Sequence, residues 1–125
     1  MGYSVVDPEE VDPFEGDGRT FRHLARYVGF EEFGLNHVRS EPGGRIPLRY
    51  HSHDRQEEAF FVLSGTFHVE TPDEEFVVGE GRAFFVEPGH PHRTFVPESA
   101  DESVKVLTVG APSVDDVRSY DPSGG

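Results

Sequence analysis

Apolar and polar residues along this chain fall into short runs broken by Gly and Pro, with no sustained helical stripe in any twelve-residue window. In Thr66–Glu70 (TFHVE) the apolar Phe67 and Val69 flank His68, the two-residue period of a strand with one face on a core. The pattern predicts strands at Phe21–Ala25, Gly34–Arg39, Leu48–His53, Ala59–Leu63, Thr66–Glu70, Glu75–Val78, Ala83–Val86, His92–Val96 and Ser103–Val109. Breakers separate them at Glu41-Pro42-Gly43-Gly44, Ser64-Gly65, Thr71-Pro72-Asp73-Glu74, Gly79-Glu80-Gly81 and Glu87-Pro88-Gly89. Only Gly18–Phe30 comes close to a helical pattern, enough for a short helix. Many short strands at this spacing predict an all-β sandwich or barrel. The aromatic content agrees, with eleven Phe and no Trp, and the Phe concentrated in the strand candidates.

The two ends read differently. Residues 1–18 carry six carboxylates, two prolines and no basic residue, which predicts an extended or disordered acidic arm with room for a short strand at Tyr3–Val6. Ser113–Gly125 (SVDDVRSYDPSGG) has little to bury and reads as a tail lying over the surface before fraying. The folded unit is therefore expected over residues 19–112, one domain in a chain of 125 residues.

Charge narrows the partners. There are 24 acidic residues against 11 basic ones, a formal net charge of -13, and Lys105 is the only lysine. Such a surface repels phosphate backbones and anionic lipid, so neither nucleic acid nor membrane is an expected partner. It also repels itself unless salt screens it. A composition this acidic and poor in lysine resembles that of proteins from extreme halophiles; an ordinary acidic bacterial protein is the alternative. No apolar run is long enough to span a bilayer, and the acidic first residues are the opposite of a cationic signal peptide, so a cytoplasmic location is expected. Cysteine is absent, so any transition metal has to be held by nitrogen and oxygen.

The chemistry concentrates in Gly44–Gly65, GRIPLRYHSHDRQEEAFFVLSG. His51 and His53 lie two apart on one strand and project from the same face. Glu58 follows on the next strand, sharing a face with Phe60 and Val62. Two imidazoles and a carboxylate converging from adjacent strands suit Mn, Fe, Co, Ni, Cu or Zn. A fourth ligand has to come from a distant strand, and Gly81–Val96 (GRAFFVEPGHPHRTFV) offers His90 and His92.

These residues resemble the two motifs of the cupin superfamily. The first is matched by His51-x-His53, four residues, Glu58, six residues and Gly65; fifteen residues then lead to Gly81, and Gly89 is followed after two residues by His92. The likeness covers about residues 34–110 and, in spacing, is similar to compact microbial members. Gly44 stands one place early, Glu87 stands where the family has Pro, and Val96 where it has Asn; none of these is a metal ligand in the family pattern. The resemblance implies a double-stranded β-helix (jelly-roll) barrel, open at one end. It implies one divalent transition metal ion on His51, His53, Glu58 and His92, open coordination places for water or a small-molecule ligand, and pairing into a homodimer through edge strands.

Other residues carry weaker expectations. Arg49 shares a face with His51 and His53, so it either points into the barrel and clamps a substrate carboxylate or phosphate, or pairs with surface carboxylates if the strand starts late. His37 is a second candidate for contact with substrate. His90 lies in a turn, as an acid/base group or a solvated loop residue; His68 is expected on the outer face and His23 at the surface or an interface. Phe60, Phe67, Phe85 and Phe95 are expected in packing. Two functions stay open: a small metalloenzyme, dioxygenase- or isomerase-like, on a small polar or carboxylate-bearing substrate, or a non-catalytic metal or ligand binding module. A proton-transfer group beside the metal would favour the enzyme; Glu57, His37 and His90 are candidates, with Glu57 expected to face away from Glu58.

Overall fold

Alternation along the strands decides which side chains meet. The computed structural model describes residues 2–44 and 50–122. Its strands are β1 (Phe14–Gly16), β2 (Arg19–His23), β3 (Gly34–Ser40), β4 (His51–His53), β5 (Glu57–Ser64), β6 (Thr66–Glu70), β7 (Glu75–Gly79), β8 (Ala83–Val86), β9 (Arg93–Phe95), β10 (Val104–Ala111) and β11 (Val117–Ser119). One antiparallel sheet has the order β1-β2-β3-β10-β5-β8. The other layer consists of β7-β6-β9 and β11-β4. An antiparallel bridge joins these two parts, His51 and His92 exchanging backbone hydrogen bonds of 3.0 and 2.9 Å. The two layers close into a jelly-roll β-barrel.

The core is the sum of the inward positions: Val38 from β3, Phe60 and Val62 from β5, Phe67 and Val69 from β6, Val78 from β7, Val86 from β8, and Val104 and Val106 from β10. Val96, just beyond β9, joins them at 1% exposure, so the residue standing at the family's Asn position is a core side chain. β-Branched valines dominate because they pack well on a pleated half-buried surface. Gly65 makes the β5–β6 turn possible: its φ is +80°, and a Cβ there would lie 2.6 Å from the carbonyl oxygen of Ser103.

Most predicted strands are present, with differences at the margins. The strand expected through Ala25 ends at His23, where the chain turns into a single helical turn, α1 (Leu24–Tyr27), which buries Ala25. Of the strand expected over Leu48–His53, the part at 45–49 lies outside the described residues. Tyr3–Val6 is not a strand. The first eighteen residues instead form a 3₁₀ turn at Pro8–Glu10 and the hairpin strand β1, and Arg22 donates to the carbonyls of Pro8 (3.2 Å) and Val11 (2.8 Å). At the other end β11 pairs with β4, Val117 opposite His53 and Ser119 opposite His51. The Tyr120 N–H donates to the Tyr50 carbonyl at 3.0 Å, and their rings stack with centroids 4.8 Å apart.

Candidate metal centre

Strand period places the first pair of imidazoles. On β4, His51 and His53 turn inward at 3% and 9% exposure, with Ser52 on the opposite face. Glu58 enters from β5 on the same side as Phe60. His92, 1% exposed, arrives through the turn at Gly89 (φ +84°), whose N–H donates to the His53 carbonyl at 2.6 Å. The bridge to His51 then fixes the backbone of His92 across from β4.

Four side-chain atoms converge. Glu58 Oε1 lies 3.1 Å from His53 Nε2, 3.1 Å from His92 Nε2 and 3.8 Å from His51 Nε2; the Nε2 atoms of His51 and His53 are 3.2 Å apart. The ligand atoms of His51, Glu58 and His92 all fall within 4.8 Å of one another, a group that could hold a metal ion.

The tautomers follow from the partners on the far side of two rings. His92 Nδ1 lies 3.1 Å from the carbonyl oxygen of His90, and His53 Nδ1 lies 2.8 Å from Asp116 Oδ1. A carbonyl and a carboxylate only accept, so both Nδ1 atoms donate to them, and both rings present Nε2 to Glu58. Burial pushes the Glu58 carboxyl up, but His92, His53 and His51 beside it outweigh burial and hold it below the usual carboxylate range. The centre therefore brings an ionised carboxylate oxygen against the Nε2 atoms of two imidazoles. Glu58 Oε1 and His92 Nε2 are buried and make no hydrogen bond of acceptable geometry among the described residues.

Asp116, the residue before β11, is a part of the surroundings that sequence reasoning missed. Besides His53, it accepts the backbone N–H groups of Arg55 (2.6 Å) and Gln56 (3.0 Å) on Oδ2. Burial raises its carboxyl, and these donors, His53 foremost, more than reverse that, bringing it to about 2. Its sequence setting, an acidic pair in a polar tail, carries no signal of this role.

A cavity of about 530 Å³ reaches the centre at His92. It lies where β7 and β8, the end strands of their sheets, face each other without pairing, and Phe76, Phe84 and Val86 form its apolar wall. Asp73, Glu74 and Glu87 line it too, and among the described lining residues none is Arg or Lys. His90 also lines it, exposed to solvent.

The remaining candidates are placed as follows. Arg49 lies outside the described residues. His37 does not line this cavity: it sits on the outer face of the large sheet, out of phase with the buried Val38 and Ser40, across from Arg22 on β2 and Leu107 on β10. Glu57 is exposed on the face opposite Glu58. His68 is on the outer face of β6, 3.0 Å from Glu75 Oε2, and His23 Nδ1 is 2.8 Å from Asn36 Oδ1. Phe60 and Phe67 pack in the core, whereas Phe85 is 75% exposed on the outer face of β8.

The match to known proteins agrees with this geometry. The family model described as "Cupin domain" matches residues 36–110, and the chain belongs to the cupin family. Its structure is similar to the polyketide cyclase RemF from Streptomyces resistomycificus, at 25% identity and a TM-score of 0.79, covering 98% of this chain and 88% of that one. It is similar to a sugar phosphate isomerase of the cupin superfamily from Silicibacter pomeroyi, at 25% identity and a TM-score of 0.73, over 86% of this chain and 75% of that one. Streptomyces PAC13, solved with uridine, shares the fold at 18% identity and a TM-score of 0.74, over 96% and 92% of the two chains. No curated protein matches the chain in sequence.

Proposed function

We propose that this cupin holds one divalent transition metal ion on His51, His53 and His92 through Nε2 and on Glu58 through Oε1, and acts there on a small uncharged, ring-bearing substrate. The observation that carries the metal is the convergence of ligand atoms. Two imidazole Nε2 atoms lie 3.1 Å from one carboxylate oxygen inside the barrel, and Glu58 Oε1 and His92 Nε2 have no hydrogen-bond partner among the described residues, an arrangement that a cation among them would satisfy. Separations near 3.1 Å also fit neighbouring ligands on a cation with bonds of roughly 2.1 Å. A metal bound there supplies Lewis-acid polarisation of a substrate oxygen.

The chain's own residues set the substrate class. The aromatic and aliphatic wall of Phe76, Phe84 and Val86 excludes water from one side of the cavity, and Asp73, Glu74 and Glu87 repel an anion. A carboxylate-bearing substrate held by Arg49 is the alternative reading. Likeness to a polyketide cyclase supports the uncharged, ring-bearing class, and equal identity to a sugar phosphate isomerase supports the charged alternative. His90 is the proton-transfer group of this reading: its Nδ1–H donates to the Pro88 carbonyl at 3.2 Å, leaving Nε2 to accept a proton at the cavity mouth. A homodimer belongs to the same proposal, since Phe61, Leu63, Phe85 and Val109 stand exposed on the outer face of the large sheet.

The test is a thermal-shift series on chelator-stripped protein reloaded with Co²⁺. Neutral hydroxy-aromatic compounds are expected to raise the melting temperature further, carboxylates of the same size are not, and both responses vanish in a His51→Ala, His53→Ala variant. Equal stabilisation by carboxylates would overturn the substrate class. Binding without turnover of any such compound would leave the binding module in place of the enzyme.

A further inference from the structure

We infer that Asp116 is a positioning residue of the centre: it locks His53 as the Nδ1–H tautomer and aims its Nε2 at Glu58, which makes the C-terminal segment part of the site. The inference rests on the reading that the His/Glu group binds a metal, and deepens it.

The three imidazoles are not supported alike. His92 takes its acceptor locally, from the His90 carbonyl two residues before it. His53 has its acceptor 63 residues away, on the C-terminal segment that pairs with β4 through β11. That acceptor is itself held: Oδ2 of Asp116 takes the N–H groups of Arg55 and Gln56, and the Asp116 carbonyl accepts from the N–H of Asp54 at 3.3 Å. Three donors from the loop following β4 thus clamp the residue that orients the ring on β4. The Asp116 and His53 side chains are 11% and 10% exposed, so little water can replace the contact. Without Asp116 the buried Nδ1 has lost its acceptor, and the ring is free to move the proton to Nε2. A proton on Nε2 removes the lone pair that a metal ion would take. Carboxylates that hold ligating imidazoles in this manner govern metal affinity, and their loss typically weakens it by about 10- to 100-fold.

A purely structural role, capping the loop at Arg55 and Gln56, predicts a lower melting temperature but no change at the His53 ring. The experiment therefore reads the ring directly. Metal-free full-length wild type, Asp116→Asn and Asp116→Ala are compared by ¹⁵N NMR of the histidine rings, then titrated with Co²⁺ against a competing chelator while the visible spectrum is followed. Glu75→Ala serves as control, since it removes a surface carboxylate that pairs with His68 on the outer face of β6. The expected result is a His53 Nδ1–H tautomer in wild type that is lost in Asp116→Ala. Co²⁺ affinity then falls about 10- to 100-fold with a shifted visible band, and the control is unchanged. Asp116→Asn, which keeps the size and one acceptor, is expected to fall between and secures the comparison if Asp116→Ala does not fold. An unchanged tautomer with unchanged Co²⁺ affinity in the Asp116 variants would overturn the inference. If wild type itself binds no Co²⁺, the metal reading fails, and the tautomer comparison still decides whether Asp116 positions His53.

Discussion

Glu58 and His37 show how one turn of the backbone changes the meaning of a titratable side chain. Glu58 was readable as an inward residue because it shares its parity with Phe60 and Val62, both nearly inaccessible. His37 was ambiguous, since the sequence around it does not say which face of β3 looks in. The structure turns it outward, where burial first, then Lys105 and Arg22, lower its pKa from 6.5 against a smaller opposing pull from Glu9. The sign of the linkage follows. A histidine with a depressed folded pKa leaves the folded state with fewer protons than the unfolded one, so its contribution to stability is present above about 6.5 and is lost as pH falls from there through the lowered value. A proton NMR titration of the His37 ring is expected to give a midpoint below 6.5, and a midpoint above it would contradict the cationic surroundings described. Asp116 marks the limit of reading at this scale: its importance comes from a contact 63 residues away, and a lone acidic residue in a polar tail announces no partner.

Elements were legible where alternation was long and turns were chemically marked. The β5–β6 hairpin carries Phe60, Val62, Phe67 and Val69 inward and turns at Ser64-Gly65, so both period and breaker pointed to it. β11 was not legible, because three polar-flanked residues acquire strand geometry only by pairing with β4. β1 is short in the same way and depends on β2. Gly65→Ala combines a left-handed φ with a Cβ 2.6 Å from the Ser103 oxygen, and is expected to destabilise by more than about 1 kcal/mol in urea unfolding. A loss near zero would mean that the turn can shift without cost, contrary to the close approach described.

Over the whole molecule, thirteen uncompensated negative charges oppose compaction. Screening shortens their reach from about 10 Å at 0.1 M salt to about 3 Å at 1 M. The melting temperature is expected to rise by several degrees between 0.1 and 2 M KCl, and a flat or falling curve would remove the repulsion and with it the likeness to halophile proteins. The same negative field attracts divalent cations toward a barrel whose interior holds three imidazoles and a carboxylate. The central claim is that this group is a metal centre, and elemental analysis of protein purified without added metal tests it most directly. One equivalent of a first-row transition metal per chain in wild type, absent from the His51→Ala, His53→Ala variant, is the predicted result. Equal metal content in both proteins, or none in wild type even after reloading, would contradict it.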